Sequence, residues 1–390
     1  MLQLPTIDSF PDIRGKKVLV RASLNVPVQN GVISDETRLL ANMPTIKALQ
    51  ERGAKIILLG HFGRKGESLQ IVADALSKHV PLKFLSGAYD APETMQGIAS
   101  LQNSEVVLLE NVRRDVREKE NDTKYAAQMA SLGDYFVVDA FADAHREHAS
   151  ITGIAKIIPT VFGEAFMQEY NAFSRALEPK APSLAIIGGA KFDTKTPLIQ
   201  ALVQKYTHVF VGGALMNDVY KARGYEIGTS VVGDTAINPE ILTRPNLVVP
   251  TDVSVQNAQG EVRNVHATEV QPSDMIVDVG EDSLVTLKKL INDAATIVWN
   301  GPLGYYEGGF DYSTKECAKR IAARTNATTI VGGGDTLAAI KATKTTAAYT
   351  HPSTAGGAML TFLETSTLPI IKVVMQHRAA LTSGTQAAEY

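Results

Sequence analysis

The chain is poor in the features that mark several specialised protein classes. Cys317 is the only cysteine among its 390 residues, so no disulfide can form within it. That residue falls in a helix expected over 313–325 with no metal-ligand spacing around it, which predicts a buried structural thiol. No apolar run approaches the ~20 residues that cross a bilayer, so no membrane partner is expected. The opening MLQLPTIDSFPDIRGKK lacks a basic stretch leading into an apolar one, which predicts a cytoplasmic location. Neither charge sign is in excess, with 38 Lys and Arg against 41 Asp and Glu. A polyanion such as nucleic acid therefore meets no general attraction, and any anion must be held locally. The phosphate-loop pattern GxxxxGK[ST] and a GxGxxG fingerprint after the first strand are missing too, which removes the ordinary P-loop and dinucleotide-dehydrogenase readings. No short-period repeat suggests a solenoid or a propeller.

What is present is the material of a globular protein: 45% apolar and 20% charged residues. The length exceeds the ~250–300 residues at which one core stops growing, so two domains are expected. Short Val- and Ile-rich runs alternate with helical periodicity. The first half predicts strands at 17–21, 56–59, 106–109 and 135–139, and a helix over 36–52 whose Leu39, Leu40, Met43, Ile46 and Leu49 share a stripe ahead of Gly53. The second half predicts strands at 184–187, 208–211, 247–249, 296–299 and 329–331. The fold class is α/β, with two doubly wound parallel-sheet, Rossmann-like domains. A helix over 164–177, ended by EPKAPS, predicts the junction, giving domains at 1–170 and 171–365. The last residues, 375–390, lose the pattern and are expected to form a surface tail.

Basic side chains recur at the ends of first-half strands or in the loops beyond them: Arg21, His61, Arg64, Arg113 and Arg146, with Arg38 in the helix opening at SDETR. In a parallel sheet these ends converge on one crevice. Arginine binds phosphate or carboxylate through a planar fork and stays protonated. One arginine at a strand end is ordinarily a salt-bridge partner, whereas several facing one crevice point to a small, multiply charged anion. His145 and His148 have a spacing that can hold a metal on a helix, but no third ligand accompanies them, so a structural role is expected, with Arg146 the functional member.

The second half has glycine-rich turns after its strands, in GGAKFDTK (188–195), VGGA (211–214) and GGGDT (332–336), and a capped helix start in STAGGA (353–358). Exposed amides in such turns can cradle phosphates. One glycine turn is common geometry; four in one half are a pattern. Lys191 and Lys195 add mobile charge, Asp335 adds an oxygen for a hard cation such as magnesium, and Glu307, closing the segment WNGPLGYYE, is placed to meet ribose hydroxyls.

Together these segments resemble the phosphoglycerate kinase family. The similarity runs in order from about Val18 to Val374 through VRASLNVP, SDETRL, GHFGRK, LLENVRR, DAFADAHREHAS, GGAKFDTK, WNGPLGYYE, GGGDT and HPSTAGGA. The resemblance implies reversible phosphoryl transfer between 1,3-bisphosphoglycerate and ADP, giving 3-phosphoglycerate and ATP, by a monomer that closes about a hinge helix. It implies that Ser23, Asn25, Arg38, His61, Gly63, Arg64, Arg113 and Arg146 hold the phosphoglycerate. Gly189, Lys191, Lys195, Gly212, Gly213, Asn300, Pro302, Glu307, Gly333, Gly334, Asp335 and Thr336 would hold the nucleotide, with Gly356 and Gly357 in the phosphate cradle and Mg2+ on Asp335. Arg38, Lys191 and Lys195 would be catalytic. A final segment, about 365–390, would pack back onto the first domain. Three positions depart from the family pattern: Ser23 replaces an acid, Val138 an asparagine and Ala355 a glycine. They motivate a rival reading, a nucleotide-binding protein that kept the fold and lost turnover.

Overall fold

The computed structural model describes residues 2–64, 66–189, 195–233 and 237–383. The chain divides into two compact units, one of Met1–Asn171 with the segment from Thr367 onward, the other of Ala172–Ser366. The strands of the first unit are β1 (Lys17–Arg21), β2 (Val28–Gln29), β3 (Val32–Ile33), β4 (Lys55–Leu59), β5 (Lys83–Leu85), β6 (Val106–Leu109), β7 (Tyr135–Val138) and β8 (Thr160–Phe162). Six of them make a parallel sheet in the order β5-β6-β4-β1-β7-β8, and β2 and β3 form a small hairpin. Both faces of the sheet are covered, as parallel sheets require. Val18, Val20, Ile56, Leu58, Val106 and Leu108 join one core with Leu39, Ile46 and Leu49, while the alternate residues Leu19, Ile57, Val107 and Phe136 are buried as well.

The second unit carries β9 (Ser183–Ile187), β10 (His208–Val211), β11 (Leu247–Val248), β12 (Asp252–Gln256), β13 (Val262–His266), β14 (Met275–Val279), β15 (Thr296–Asn300), β16 (Thr328–Gly332) and β17 (His351–Ser353). Its parallel sheet runs β11-β10-β9-β15-β16-β17, and β13-β12-β14 form a separate three-stranded antiparallel sheet. In each parallel sheet the order reverses beside the unit's first core strand, next to β1 in one and β9 in the other. Crevices for ligands open at such switch points, beyond the carboxyl ends of the strands.

All nine strands read from the sequence are present, within one or two residues. The edge strands β5, β8 and β17 have only three residues each, too few to show a period. The antiparallel sheet was missed because β13 is largely exposed and offers no apolar alternation.

Two expectations are corrected. The helix over 36–52 is two helices, Thr37–Ala41 and Met43–Glu51. Pro44 has no N–H to continue the ladder, and the Asn42 side chain takes over its neighbourhood, donating to the carbonyls of Arg38, Leu39 and Ser23. The tail over 375–390 begins instead inside a helix, Pro369–Ser383. Ile370, Ile371 and Val374 are buried on one stripe, a pattern that starts before the stretch where the apolar signal fades. Cys317 is fully buried, and burial pushes its thiol up.

The helix Glu164–Leu177 begins in the first unit and ends in the second. At its start the Asp139 carboxylate, just past β7, accepts from the backbone N–H groups of Ala165 and Phe166 at 2.9 and 3.2 Å, while the Thr45 hydroxyl accepts from Glu164 N–H.

Candidate active site

In the first unit the loops beyond β1, β4, β6 and β7 converge because the four strands are parallel neighbours ending at one edge. Asn25 organises the first part of this edge. Its backbone carbonyl accepts from the Arg38 guanidinium at 2.8 Å, and its side-chain oxygen accepts from Gly63 N–H at 2.9 Å. Gly63, at φ +67°, presents its own carbonyl to Arg113 at 3.1 Å. Burial lowers the proton affinity of both Arg38 and Arg113, and Asp143 counters it in each case.

Asp143 lies in the helical turn Phe141–Asp143 after β7 and is almost wholly buried. One of its oxygens lies 3.2 Å from Arg21 Nη2 and 3.1 Å from His61 Nδ1, and the other 3.6 Å from Arg146 Nη1. Burial by itself would raise this carboxyl, but Arg21 and His61 hold it well below the usual range. Arg21 is consumed beneath the site: its Nε donates to the Ser150 hydroxyl and its Nη1 to the Ala22 carbonyl. Ser150 in turn donates through both its hydroxyl and its backbone N–H to Glu118, a buried carboxylate that burial pushes upward.

Asn25, Arg38, His61, Gly63, Arg113 and Arg146 are thus brought into one linked cluster. Ser23 is half-buried, and its N–H donates to Asn42 Oδ1. Arg64 is exposed and is not bonded to the described residues of the cluster. Arg21, grouped in the sequence with the outward cations, is only 1% exposed and serves as a strut. Among the described residues no three His, Cys, Asp or Glu side chains gather around a metal position. His145 sits against Arg146, and burial lowers His148, 3.7 Å from Glu118, to about 4. Asp143 and Glu118 were missed by sequence reasoning. The usable signal for Asp143 was its place three residues before Arg146 in the same turn.

In the second unit the glycine turns interlock across the switch point. Gly188 N–H donates to the Asn300 carbonyl at 2.8 Å, Gly189 N–H to that of Pro302 at 3.0 Å, Gly212 N–H to Ile187 at 2.9 Å and Gly213 N–H to Leu303 at 2.8 Å. Gly213 has φ +60°, and a Cβ there would fall 2.6 Å from Gly189 N; at Gly301 it would fall 2.3 Å from Gly188 O. Only glycine fits such approaches. Asn300 Nδ2 donates to the Gly332 carbonyl, and Gly301 N–H donates to the buried Thr336 hydroxyl. These two side chains therefore stitch the turns together.

The turns border a cavity of about 390 Å³ walled in part by Gly189, Gly213, Pro302, Leu303, Glu307 and Asp335. Its lining combines an apolar surface with a few polar groups, the usual make-up of a small-molecule site. Gly333, Gly334 and Asp335 open the helix Gly334–Ala342, whose N-terminus favours anions. Gly356 begins the helix Gly356–Thr365, so close to Gly333 that a Cβ would lie 3.1 Å from its Cα; Gly357 is exposed beside it. The Ala355 methyl is buried, as is Val138. Lys195 is 9% exposed, and its ammonium donates to the Gly188 carbonyl. Burial lowers it to about 8, with Asp335 partly offsetting. Lys191 lies outside the described residues.

A family model described as phosphoglycerate kinase matches residues 7–366. A phosphoglycerate kinase of Caulobacter sp. (strain K31) is 41% identical over 389 residues, covering 93% of this chain and 97% of its own. That of Rhizobium meliloti (strain 1021) is 39% identical over 398 residues, covering 95% and 98%. The structure of phosphoglycerate kinase from Coxiella burnetii superposes with a TM-score of 0.82 at 35% identity, covering 97% of this chain and all of its own. That from Pyrococcus horikoshii OT3 gives 0.81 at 27% identity, with 96% and 100% covered. With two six-stranded parallel sheets, a cation cluster at the edge of one and glycine turns around a cavity at the edge of the other, the chain belongs to the phosphoglycerate kinase family, enzymes of glycolysis that transfer phosphate between ATP and 3-phosphoglycerate.

Proposed function

We propose that the cation cluster of the first unit holds phosphoglycerate and that the glycine-lined cavity of the second holds magnesium-bound ATP or ADP, in the cytoplasm. The observation that carries this is the linkage of Asn25, Arg38, Gly63 and Arg113 by direct hydrogen bonds, with His61 and Arg146 tied to the same place through Asp143. Such a set suits an anion bearing both a phosphate and a carboxylate. Arg113 and Arg146 supply forks for the phosphate, and Arg38 supplies charge at the carboxyl end, where transfer occurs.

The cavity suits a nucleotide. Leu303, Met275 and Val277 offer an apolar wall for the base, and Glu307 a carboxylate for ribose hydroxyls. The N–H groups of Gly188, Gly189, Gly212 and Gly213 are spent on backbone carbonyls, so the turns bring the backbone close while the helix opening at Gly334 supplies the amides for the phosphates. Asp335 is exposed in the first turn of that helix; among the described residues no set of three His, Cys, Asp or Glu side chains gathers, so it fits a magnesium that arrives sharing the phosphate oxygens. When bound, that ion would neutralise charge on the phosphates.

In the ATP-consuming direction the carboxylate of 3-phosphoglycerate attacks the terminal phosphorus, forming the acyl phosphate while ADP leaves. A carboxylate with an ordinary pKa near 4 is already ionised at neutral pH, so no base has to remove a proton. Alignment and charge stabilisation carry the step. Arg38, Lys191 and Lys195 are the groups for the transferring phosphoryl, and Lys195, still mostly protonated at pH 7, is held beside the phosphate turn by Gly188. Because the substrates bind on separate units, transfer requires the units to bring their loaded surfaces together about the helix Glu164–Leu177, which excludes water from the acyl phosphate.

The test is a substrate-resolved assay of Arg113→Ala. Losing a charge-assisted hydrogen bond costs about 1.5–3 kcal/mol, so the KM for 3-phosphoglycerate rises ~10- to 150-fold while that for ATP stays put. A rise confined to ATP overturns the assignment.

A further inference from the structure

We propose that Asp143 is a positioning residue of the phosphoglycerate site, holding the Nδ1 proton of His61 so that Nε2 is offered to the substrate phosphate, and that substrate binding therefore takes up a proton. This deepens the reading above and rests on it.

The geometry begins with the acceptor. His61 Nδ1 lies 3.1 Å from one oxygen of Asp143 and 3.2 Å from Arg21 Nη2. A guanidinium can only donate and an ionised carboxylate can only accept, so the two contacts ask opposite things of Nδ1. The carboxylate is the stronger partner, because a bare nitrogen lone pair set against its negative charge would be repelled, whereas an N–H makes a charge-assisted bond. The proton accordingly sits on Nδ1. Arg21 does not need the imidazole, since Asp143, Ser150 and the Ala22 carbonyl already accept from it.

With Nδ1 committed, Nε2 is the nitrogen left for a ligand, and it has no hydrogen-bond partner among the described residues. Three charged groups from three elements face the ring: Asp143 after β7, Arg21 at the end of β1 and Arg113 after β6. Burial lowers the imidazole and both arginines lower it further, while Asp143 alone opposes them. The free ring is thus neutral at and above neutral pH, with a lone pair on Nε2. A phosphate dianion brought to that lone pair is favoured only if a proton comes with it, and Asp143 on the far side of the ring stabilises the resulting imidazolium. The other oxygen of Asp143, 3.6 Å from Arg146, steadies the neighbouring fork. Beneath, Glu118 and Ser150 hold Arg21, so the carboxylate is fixed from below.

The experiment combines three measurements. Long-range 15N–1H correlation spectra of the wild-type protein at pH 7.5 are expected to show the Nδ1–H tautomer for His61. Calorimetry of 3-phosphoglycerate binding in buffers of different ionisation enthalpy is expected to show net proton uptake. In Asp143→Asn the uptake disappears, and the KM for 3-phosphoglycerate rises ~10- to 150-fold, the range for losing a bond to a charged group, while that for ATP is unchanged. An Nε2–H tautomer or absence of proton uptake in the wild type overturns the proposal, and neither readout depends on the variant folding. A folded Asp143→Asn enzyme with wild-type KM also overturns it. Arg113→Ala separates the two levels: if it too leaves the KM for 3-phosphoglycerate unchanged, the cluster is not the phosphoglycerate site, whereas if it alone raises that KM, only the role of Asp143 falls.

Discussion

Around Gly63 in the first unit, the proposed anion site is built from side chains, with Arg38, Arg113, Arg146 and His61 held by two backbone carbonyls and one buried carboxylate, and Arg21 bracing that carboxylate from beneath. Around Gly213 in the second, the proposed nucleotide site is built from backbone, with glycine turns bonded to one another across a strand switch and a single described lysine folded underneath. The difference teaches where each site is fragile. A side-chain site fails when a charge or its partner is removed, and a buried ion pair broken on one side costs about 3–5 kcal/mol. A backbone site tolerates many polar changes nearby but fails when a Cβ is added where two chains touch.

The largest effect belongs to Lys195, the charged side chain folded against the backbone site. Lys195→Ala is expected to lower kcat by about 10²- to 10³-fold, the usual loss for a group stabilising transition-state charge, in a coupled assay of ATP consumption. Because burial has brought Lys195 to about 8, its charge is present below that pH and lost as pH rises through it. The wild-type kcat/KM for ATP therefore declines above about pH 8, a limb missing from the variant's residual activity. A retained kcat would erase the contrast, making the cavity purely a backbone device.

Gly213→Ala is next. A side chain at φ +60° facing Gly189 N at 2.6 Å imposes strain of about 1–3 kcal/mol. Titrations are expected to show weakened ADP binding with unchanged 3-phosphoglycerate binding, the mirror image of Arg113→Ala.

The smallest effect concerns the connection between the units. Burial raises Asp139 to about 7, although two helix N–H groups favour its charged form. The folded state therefore binds this proton more tightly than the unfolded state, whose carboxyl titrates near 4. Its contribution to stability is present below that value and is lost as pH rises from about 4 to about 7. Asp139→Asn keeps an acceptor for the helix and removes the titration, so denaturant unfolding should show a flatter pH dependence over this window. An unchanged slope would mean that Asp139 is ionised throughout.

The same contrast explains what could be read from the sequence. The backbone site was legible because glycine after a strand is itself the signal: Gly188, Gly212 and Gly333 mark turns whatever surrounds them. The outward cations Arg113 and Arg146 were legible as residues beyond parallel strand ends, and Arg38 by its place in the helix opening at SDETR. Arg21 has the same residue type and strand-end position, yet it points under the site, and only the packing of Asp143 and Ser150 distinguishes it. Asp143 and Glu118 escaped notice because an acid beside basic residues reads as a surface partner until its burial is known. The break at Asn42 was hidden because its apolar stripe runs on unbroken through Ile46 and Leu49, although Pro44 marks the place.

The division of labour between the two units is tested most directly by a crystal structure with 3-phosphoglycerate and ADP bound. The expected density places the substrate phosphate within hydrogen-bonding distance of Arg113, Arg146 and His61 Nε2, and the ADP phosphates along Gly213, Gly334 and Lys195. Phosphoglycerate density away from the Asn25–Gly63–Arg113 linkage, or ADP outside the glycine turns, would contradict it.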